Sequence, residues 1–210
     1  TWNDVTYGAG NYVAVSVSGN GDRVMRSGDG VTWATSTSAA DNIWSSITYG
    51  GGLFVAVSGN FTGSISDRVM TSPDGVTWTP QTAAANNNWA SVTYGNGVFV
   101  AVSSGLEGTT SEVMTSSNGV IWTSRTSSAD NQWNSVTYGN NLFVAVAGSG
   151  VGNRVMTSPD GITWTSRTSA ADNQWASVTY GNGLFVAVAQ SDTNNRVMTS
   201  ADGKIGRAHV

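Results

Sequence analysis

The residue types that could carry chemistry in this chain recur with a fixed period. Asp29, Asp74 and Asp160 sit in Ser-x-Asp-Gly-x-Thr-Trp segments, where a carboxylate could serve as a catalytic acid or a calcium ligand. Arg23, Arg68, Arg154 and Arg196 each precede Val-Met, and could either line a shared anion pocket or stand as solvated strand ends; Glu112 replaces the arginine once. The pairs Asp41-Asn42, Asp130-Asn131 and Asp172-Asn173 could hold a cation or sugar hydroxyls, or simply close a turn, and Asn86-Asn87 stands in their place once. Trp44, Trp89, Trp133 and Trp175 follow these polar loops. An indole face there could stack on a pyranose ring, or the ring could belong to a core.

The elements that must position these groups follow from the repeat. Trp2, Trp44, Trp89, Trp133 and Trp175 each open a block of the form Trp-x-Ser/Asp-Val/Ile-Thr-Tyr-Gly, and the spacings are 42, 45, 44 and 42 residues. A period of that size marks one small supersecondary unit per copy. The copies run approximately 1–40, 41–85, 86–129, 130–171 and 172–203, forming one domain over 1–203. In the fourth copy, period-two patterning and turn residues predict strands over Trp133–Tyr138, Leu142–Ala147, Arg154–Ser158 and Ile162–Arg167. The second of these is apolar on both faces, so it must be covered on both sides. Gly95-Asn96-Gly97, Gly139-Asn140-Asn141 and Gly181-Asn182-Gly183 predict tight hairpins with positive φ. Short antiparallel strands, four to a copy, buried front and back, predict an all-β fold: a β-propeller of stacked blades. The fifth copy stops after Asp202-Gly203, so its sheet is expected to hold three strands with ring closure imperfect or absent.

A family resemblance enters at the turn between the third and fourth strands. Ser27-Gly28-Asp29-Gly30-Val31-Thr32-Trp33, Ser72-Pro73-Asp74-Gly75-Val76-Thr77-Trp78 and Ser158-Pro159-Asp160-Gly161-Ile162-Thr163-Trp164 resemble the Asp-box, or BNR repeat, of sialidase-like propellers. The third copy departs from it, with Asn118 and Ile121 in Ser116-Ser117-Asn118-Gly119-Val120-Ile121-Trp122. The resemblance implies a structural box: the Asp accepts hydrogen bonds from its own turn, Gly30, Gly75, Gly119 and Gly161 supply the conformation, and the Trp seals it. It also implies that the boxes lie at the rim of the disc. It does not imply an activity, since Asp-boxes occur in enzymes, receptors and assembly factors alike.

Composition narrows the partners. Lys204 and His209, the only Lys and His, lie in the last seven residues, Lys204 to Val210, which leave the repeat and resemble the translation of a sequencing adapter; 204–210 is read as a non-native tail, and the chain as an environmental reading frame cut at both ends. Without that tail the charge moves from −4 to −6, seven Arg against 13 Asp and Glu. So few cations cannot neutralise a phosphate backbone, which disfavours nucleic acid. No apolar stretch approaches the ~20 residues that span a bilayer. With no Cys there is no disulfide framework or thiolate metal site, and no cofactor or metal is expected. Low charge with abundant Ser, Thr, Asn and Gly suits an extracellular or cell-surface protein.

Sialidases, which the resemblance brings in, use an arginine triad, a Tyr/Glu nucleophile pair and an Asp acid. Here Tyr7, Tyr49, Tyr94, Tyr138 and Tyr180 recur in every copy, and the two Glu, Glu107 and Glu112, share one loop. A single catalytic constellation should break the repeat, and no such set stands out, so a fragment of a sialidase-like hydrolase is the weaker reading. The loops between second and third strands do differ: Ser18 to Asp22, Ser58 to Asp67, Ser103 to Glu112, Gly148 to Asn153 and Gln190 to Asn195. They should emerge on the same side as the Asp-Asn pairs, opposite the boxes. Variable loops on a constant scaffold predict a non-catalytic binding module, for glycans first, with a protein-docking scaffold as the alternative.

Overall fold

The computed structural model describes residues 1–59, 65–105, 112–190 and 195–203, together with the backbone of 207–209. Five antiparallel sheets follow the five copies in chain order. The first holds β1 (Trp2–Gly8), β2 (Asn11–Ser16), β3 (Val24–Ser27) and β4 (Ala34–Ser36), and the second β5 (Trp44–Gly50), β6 (Leu53–Ser58), β7 (Val69–Ser72) and β8 (Thr79–Gln81). The third holds β9 (Trp89–Gly95), β10 (Val98–Ser103), β11 (Val113–Ser116) and β12 (Thr123–Arg125), and the fourth β13 (Trp133–Gly139), β14 (Leu142–Ala147), β15 (Val155–Ser158) and β16 (Thr165–Arg167). The fifth holds β17 (Trp175–Gly181), β18 (Leu184–Ala189), β19 (Val197–Ser200) and β20 (Arg207–His209). One 3-10 turn, Ile65–Asp67, precedes β7.

Each sheet is an up-and-down meander, because the links between strands are too short for anything else. The first hairpins turn on left-handed pairs, φ 49° at Asn96 and 77° at Gly97, 48° and 57° at Asn140 and Asn141. These are the primed turns that match strand twist, and Asn and Gly tolerate them where a branched side chain would not.

Two expectations about strands change. The fourth strand of each sheet is shorter than patterning suggests, β16 beginning at Thr165 rather than Ile162. The intervening residues belong to the turn: Asp160 Oδ1 accepts the N–H groups of Ile162 and Thr163 at 2.8 and 2.9 Å, which removes them from the ladder. The fifth sheet has four strands, not three, since Arg207–His209 pairs with β19 in the register of β16 on β15. A free strand edge presents unpaired N–H and C=O groups, and any extended segment beside it can satisfy them whatever its side chains.

The core lies between sheets. Val13, Val15 and Val24 of the first sheet pack on Trp44, Ile47, Phe54, Ala56, Met70 and Trp78 of the second. Equivalent clusters join the second to the third, the third to the fourth, and the fourth to the fifth. A sheet apolar on both faces has no other way to shed water, so stacking is dictated by the strand sequence. Close approach depends on a glycine at the end of each first strand: a methyl group on Gly8, Gly50, Gly95 or Gly139 would overlap the ring of Tyr49, Tyr94, Tyr138 or Tyr180 of the next sheet. Hydroxyls stitch the same joints, with Ser46, Ser91 and Ser135 accepting from the N–H of Val92, Val136 and Val178 at 3.1–3.2 Å.

Candidate functional site

The first strands β1, β5, β9, β13 and β17 lie side by side and converge on one central cleft of about 410 Å³, open to solvent. Its walls are mainly the residues just after each opening Trp, Asn3 and Asp4, Ser45 and Ser46, Ala90 and Ser91, Asn134 and Ser135, Ala176 and Ser177, with Val92, Val136, Val178 and Thr179 beyond them. Two consecutive residues reaching the same cleft is something a regular strand forbids, since its side chains alternate. Every first strand slips register at this point, between Trp2 and Asp4, Trp44 and Ser46, Trp133 and Ser135, and Trp175 and Ser177, with the matching slip in the third sheet at Val102 and Ser103. Such a bulge bends the strand and re-aims a side chain, here towards the axis.

The lining is hydroxyl and amide rather than charged. Asp4, which stands where the other copies have Ser, is its one carboxylate among the described residues. That group is engaged already: Oδ2 accepts from Ser46 Oγ at 2.8 Å and Ile47 N–H at 2.9 Å, and Oδ1 from Val5 N–H at 2.8 Å. Asn134 Nδ2 donates to the Trp175 carbonyl at 2.9 Å, and Asn3 Nδ2 to that of Ser45 at 2.5 Å, each reaching the next sheet. The position between Trp and Ser, occupied by Asn3, Ser45, Ala90, Asn134 and Ala176, escaped attention in the sequence because it looks like a mere gap in the motif. Its variation inside an otherwise constant block was the available signal.

The residues singled out from sequence have other duties. Trp44, Trp89, Trp133 and Trp175 are 0% exposed, and their indole N–H groups donate to the carbonyls of Ala40, Ala85, Ala129 and Ala171. No ring face is left for a sugar, so the platform reading is corrected: these rings are core. Asn42, Asn131 and Asn173 are buried, and their side-chain amides donate to the carbonyls of Asp67, Asn153 and Asn195. Asp41 and Asp172 accept from Gly21 and Gly152 N–H and lie 3.5 and 3.7 Å from Arg23 and Arg154. The Asp-Asn pairs therefore tie the corner before each first strand to the neighbouring variable loop. Arg23, Arg68 and Arg154 are neither an anion pocket nor solvated ends, whereas Arg196 is exposed. Arg23 donates to the carbonyls of Asn42 and Gly19, Arg154 to those of Gly150 and Gly148, and the buried Arg68 to that of Asn87.

The corners and the variable loops do share one end of the molecule, as expected. Val17, Gly59, Ser104, Gly148 and Gln190 donate to the carbonyls of residues just ahead of the opening tryptophans. The cleft opens among them. The loops Ser58 to Asp67, Ser103 to Glu112 and Gln190 to Asn195 lie in part outside the described residues, as do Glu107 and Lys204.

The Ser-x-Asp-Gly turns occupy the other end and are self-contained. Asp29 Oδ1 accepts from Val31 and Thr32 N–H at 2.9 and 2.7 Å and from Ser27 Oγ at 2.8 Å, while Ser27 Oγ accepts from Gly30 N–H at 2.8 Å. The hydrogen bonds from Thr32 and Val31 hold this carboxyl well below the ordinary range, and those from Val76 and Thr77 lower Asp74. At Asp160 partial burial pushes upward, but the bonds from Thr163, Ile162 and Ser158 together outweigh it. Asn118 Oδ1 makes the same two bonds to Val120 and Ile121, so the turn needs an acceptor and not a charge. The Trp N–H closes it, donating to the Gly carbonyl in all four: Trp33, Trp78, Trp122 and Trp164. A carboxyl held ionised by donors of its own turn, one oxygen taking three of them, is a poor proton donor near neutral pH.

Glu112 is the exception to the arginine clamp. It is fully buried where the other copies have Arg, and Ser127 Oγ donates to it at 3.4 Å. Burial, reinforced by the nearby Asp130 charge, raises its carboxyl from 4.5 to about 8. The folded chain thus holds a proton that the unfolded chain releases, so this contribution is whole below about pH 4.5 and is lost as the pH rises through about 8. Urea unfolding should give lower stability at pH ~9 than at pH ~5, and Glu112→Gln should flatten the difference.

No protein-family profile matches this chain, and no curated protein does. Among solved structures, a catalytically inactive H270A virginiamycin B lyase from Staphylococcus aureus with quinupristin superposes with a TM-score of 0.82 at 12% identity, over 99% of this chain and 69% of the lyase. The chain is a β-propeller. Two structures of YCF48, one bound to D1 peptide and one from Cyanidioschyzon merolae, superpose with TM-scores of 0.64 and 0.63 at 15% and 13% identity. Each covers the whole of this chain, which spans 66% and 67% of their length. In propeller terms the five sheets are blades, the first strands line the axis, and the box turns and loop corners mark the two ends. No helix among the described residues is long and apolar enough to cross a membrane, nor do the described residues hold a group of three or more His, Cys, Asp or Glu that could bind a metal.

Proposed function

We propose that this propeller is a non-catalytic, extracellular docking module whose central cleft takes an extended, uncharged segment of a partner protein. The observation that carries the reading is the bulge at the start of every first strand, by which all five blades turn hydroxyls, amides and main chain into one space. A peptide backbone offers alternating donors and acceptors, which Ser and Asn match in either sense. The YCF48 neighbour bound to a D1 peptide supports the choice of a peptide. Glycan binding is the second reading, favoured by the same neutral lining. It loses its aromatic platforms but keeps groups that pair with sugar hydroxyls. The Ser-x-Asp-Gly turns, read as Asp-boxes, serve to hold the blades in either case.

Peptide and glycan arrays probed with the chain test this, with Asn134→Leu as the cleft variant. Peptide ligands that lose roughly tenfold in affinity, about 1.4 kcal/mol, on that substitution support docking. Hits confined to glycans, with the same loss, move the function to the second reading. Ligands bound equally well by the variant place the site elsewhere and end both.

A further inference from the structure

The corner that leads out of each blade brings two positions together, the residue just before the third strand and the one eighteen residues further on. In blades one and four these are Arg23 with Asp41, 3.5 Å apart, and Arg154 with Asp172, 3.7 Å apart. Blade two keeps the arginine, Arg68, and has Asn86 in place of the acid. Blade three keeps the acid, Asp130, and has Glu112 in place of the arginine. The corners after blades one, two and four therefore carry a cation of their own. The corner after blade three instead sets two carboxyl groups within hydrogen-bonding reach of each other.

That replacement leaves a specific deficit. Two carboxyl groups in contact and sheltered from water cannot both ionise unless a proton or a cation stands between them. Glu112 is 0% exposed, its Oε1 has no hydrogen-bond partner among the described residues, and its Oε2 meets Ser127 Oγ at a long 3.4 Å. The shorter bond of Ser127 Oγ goes to the Ala129 carbonyl, at 2.8 Å, so the hydroxyl spends its proton there and keeps lone pairs on offer. The carbonyls of Asn42 and Asn87 accept an arginine N–H at 2.7 and 3.2 Å, whereas Asn131, at the equivalent position, has Glu112 where the arginine would be. Asp130 is exposed, which opens the corner to ions from solvent on that side.

We propose that the corner between blades three and four binds one calcium ion, with Glu112, Asp130, Ser127 Oγ and the Asn131 carbonyl as oxygen ligands and water on the side of Asp130. A buried carboxylate oxygen without a partner is costly, and an ion at Glu112 Oε1 removes that cost while supplying the positive charge that Arg23 and Arg154 supply in their own corners. Two carboxylates do not enclose a metal by themselves; the neutral oxygens and water complete the shell. Calcium suits such a set because it takes about 6–8 oxygens in flexible geometry, whereas magnesium demands a near-ideal octahedron. The site occurs once per chain, not once per blade, because the other corners already hold an arginine. It stands independently of what the central cleft binds.

Calorimetric titration of the chelator-stripped chain with calcium chloride at mildly alkaline pH tests this. One site per chain should appear, with Kd about 10⁻⁴–10⁻³ M, the range of weak extracellular calcium sites. Calcium at ten times Kd should raise the melting temperature by about 3–6 °C over sodium chloride of equal ionic strength. Glu112→Gln keeps the shape of the side chain and should abolish both effects. Glu112→Arg installs the residue of the other corners, where Arg23 and Asp41 show that the pair folds, and it too should be indifferent to calcium. A wild-type chain that neither binds calcium nor melts later in it would overturn the proposal. So would binding that survives in either variant, or more than one site per chain, since the ion would then sit elsewhere.

Discussion

Trp133→Ala should cost about 3–5 kcal/mol, the range for truncating a large buried aromatic, and so consume much of the stability of a domain that holds only ~5–15 kcal/mol in total. The indole is 0% exposed, lies in the cluster between blades three and four, and gives its N–H to the Ala129 carbonyl at 3.2 Å. Its loss leaves a cavity that the flanking valines and Met156 cannot fill without leaving their own joints. Urea unfolding followed by circular dichroism should show the midpoint falling sharply. Trp2→Ala, at the equivalent position of the first blade, removes a ring that is 43% exposed and should cost far less. If Trp133→Ala retained full stability and lost only ligand binding, the indole would be a recognition platform after all.

The second large effect comes from adding one methyl group. At Gly95 an alanine Cβ would run into the ring of Tyr138, which is itself packed on Phe143 at a centroid distance of 4.6 Å. Neither ring can move without opening the joint between blades three and four, so Gly95→Ala should cost about 1–3 kcal/mol or more through overpacking. Gly181→Ala makes the identical chemical change where nothing lies within 4 Å, and should stay within about 0.5 kcal/mol of the wild type. Thermal melting of the two variants side by side separates a steric cause from any general intolerance of alanine in the strand. Equal losses in both would refute the packing account.

How far the sequence could be read depended on whether a property is local. The meander of each blade, the left-handed hairpins at Asn96-Gly97 and Asn140-Asn141, and the self-bonded turns at Asp29, Asp74, Asn118 and Asp160 all arise within one copy, and all were legible there. So was the placement of the variable loops and Asp-Asn corners at one end, since alternating strands leave no other arrangement. The platform reading of Trp44, Trp89, Trp133 and Trp175 went wrong because an indole beside a polar loop looks the same whether or not another blade covers it. The arginines were misjudged for the same reason. Arg23 and Arg68 reach carbonyls on the far side of a corner, Asn42 and Asn87, 19 residues away in the chain, while Arg154 folds back on Gly148 and Gly150 of its own loop.

From its order of residues alone this protein is a stack of near-identical sheets, because period-two strands apolar on both faces, separated by turn residues, admit little else. Which surfaces remain wet was decided only in three dimensions. The bulge that turns Asn3, Ser45 and Asn134 to the axis, the burial of every blade-opening Trp except Trp2, and the open space at Gly181 depend on what the neighbouring blade does. Exposure is a relation between copies, and a repeat that reads the same in each copy carries no mark of which copy has a neighbour.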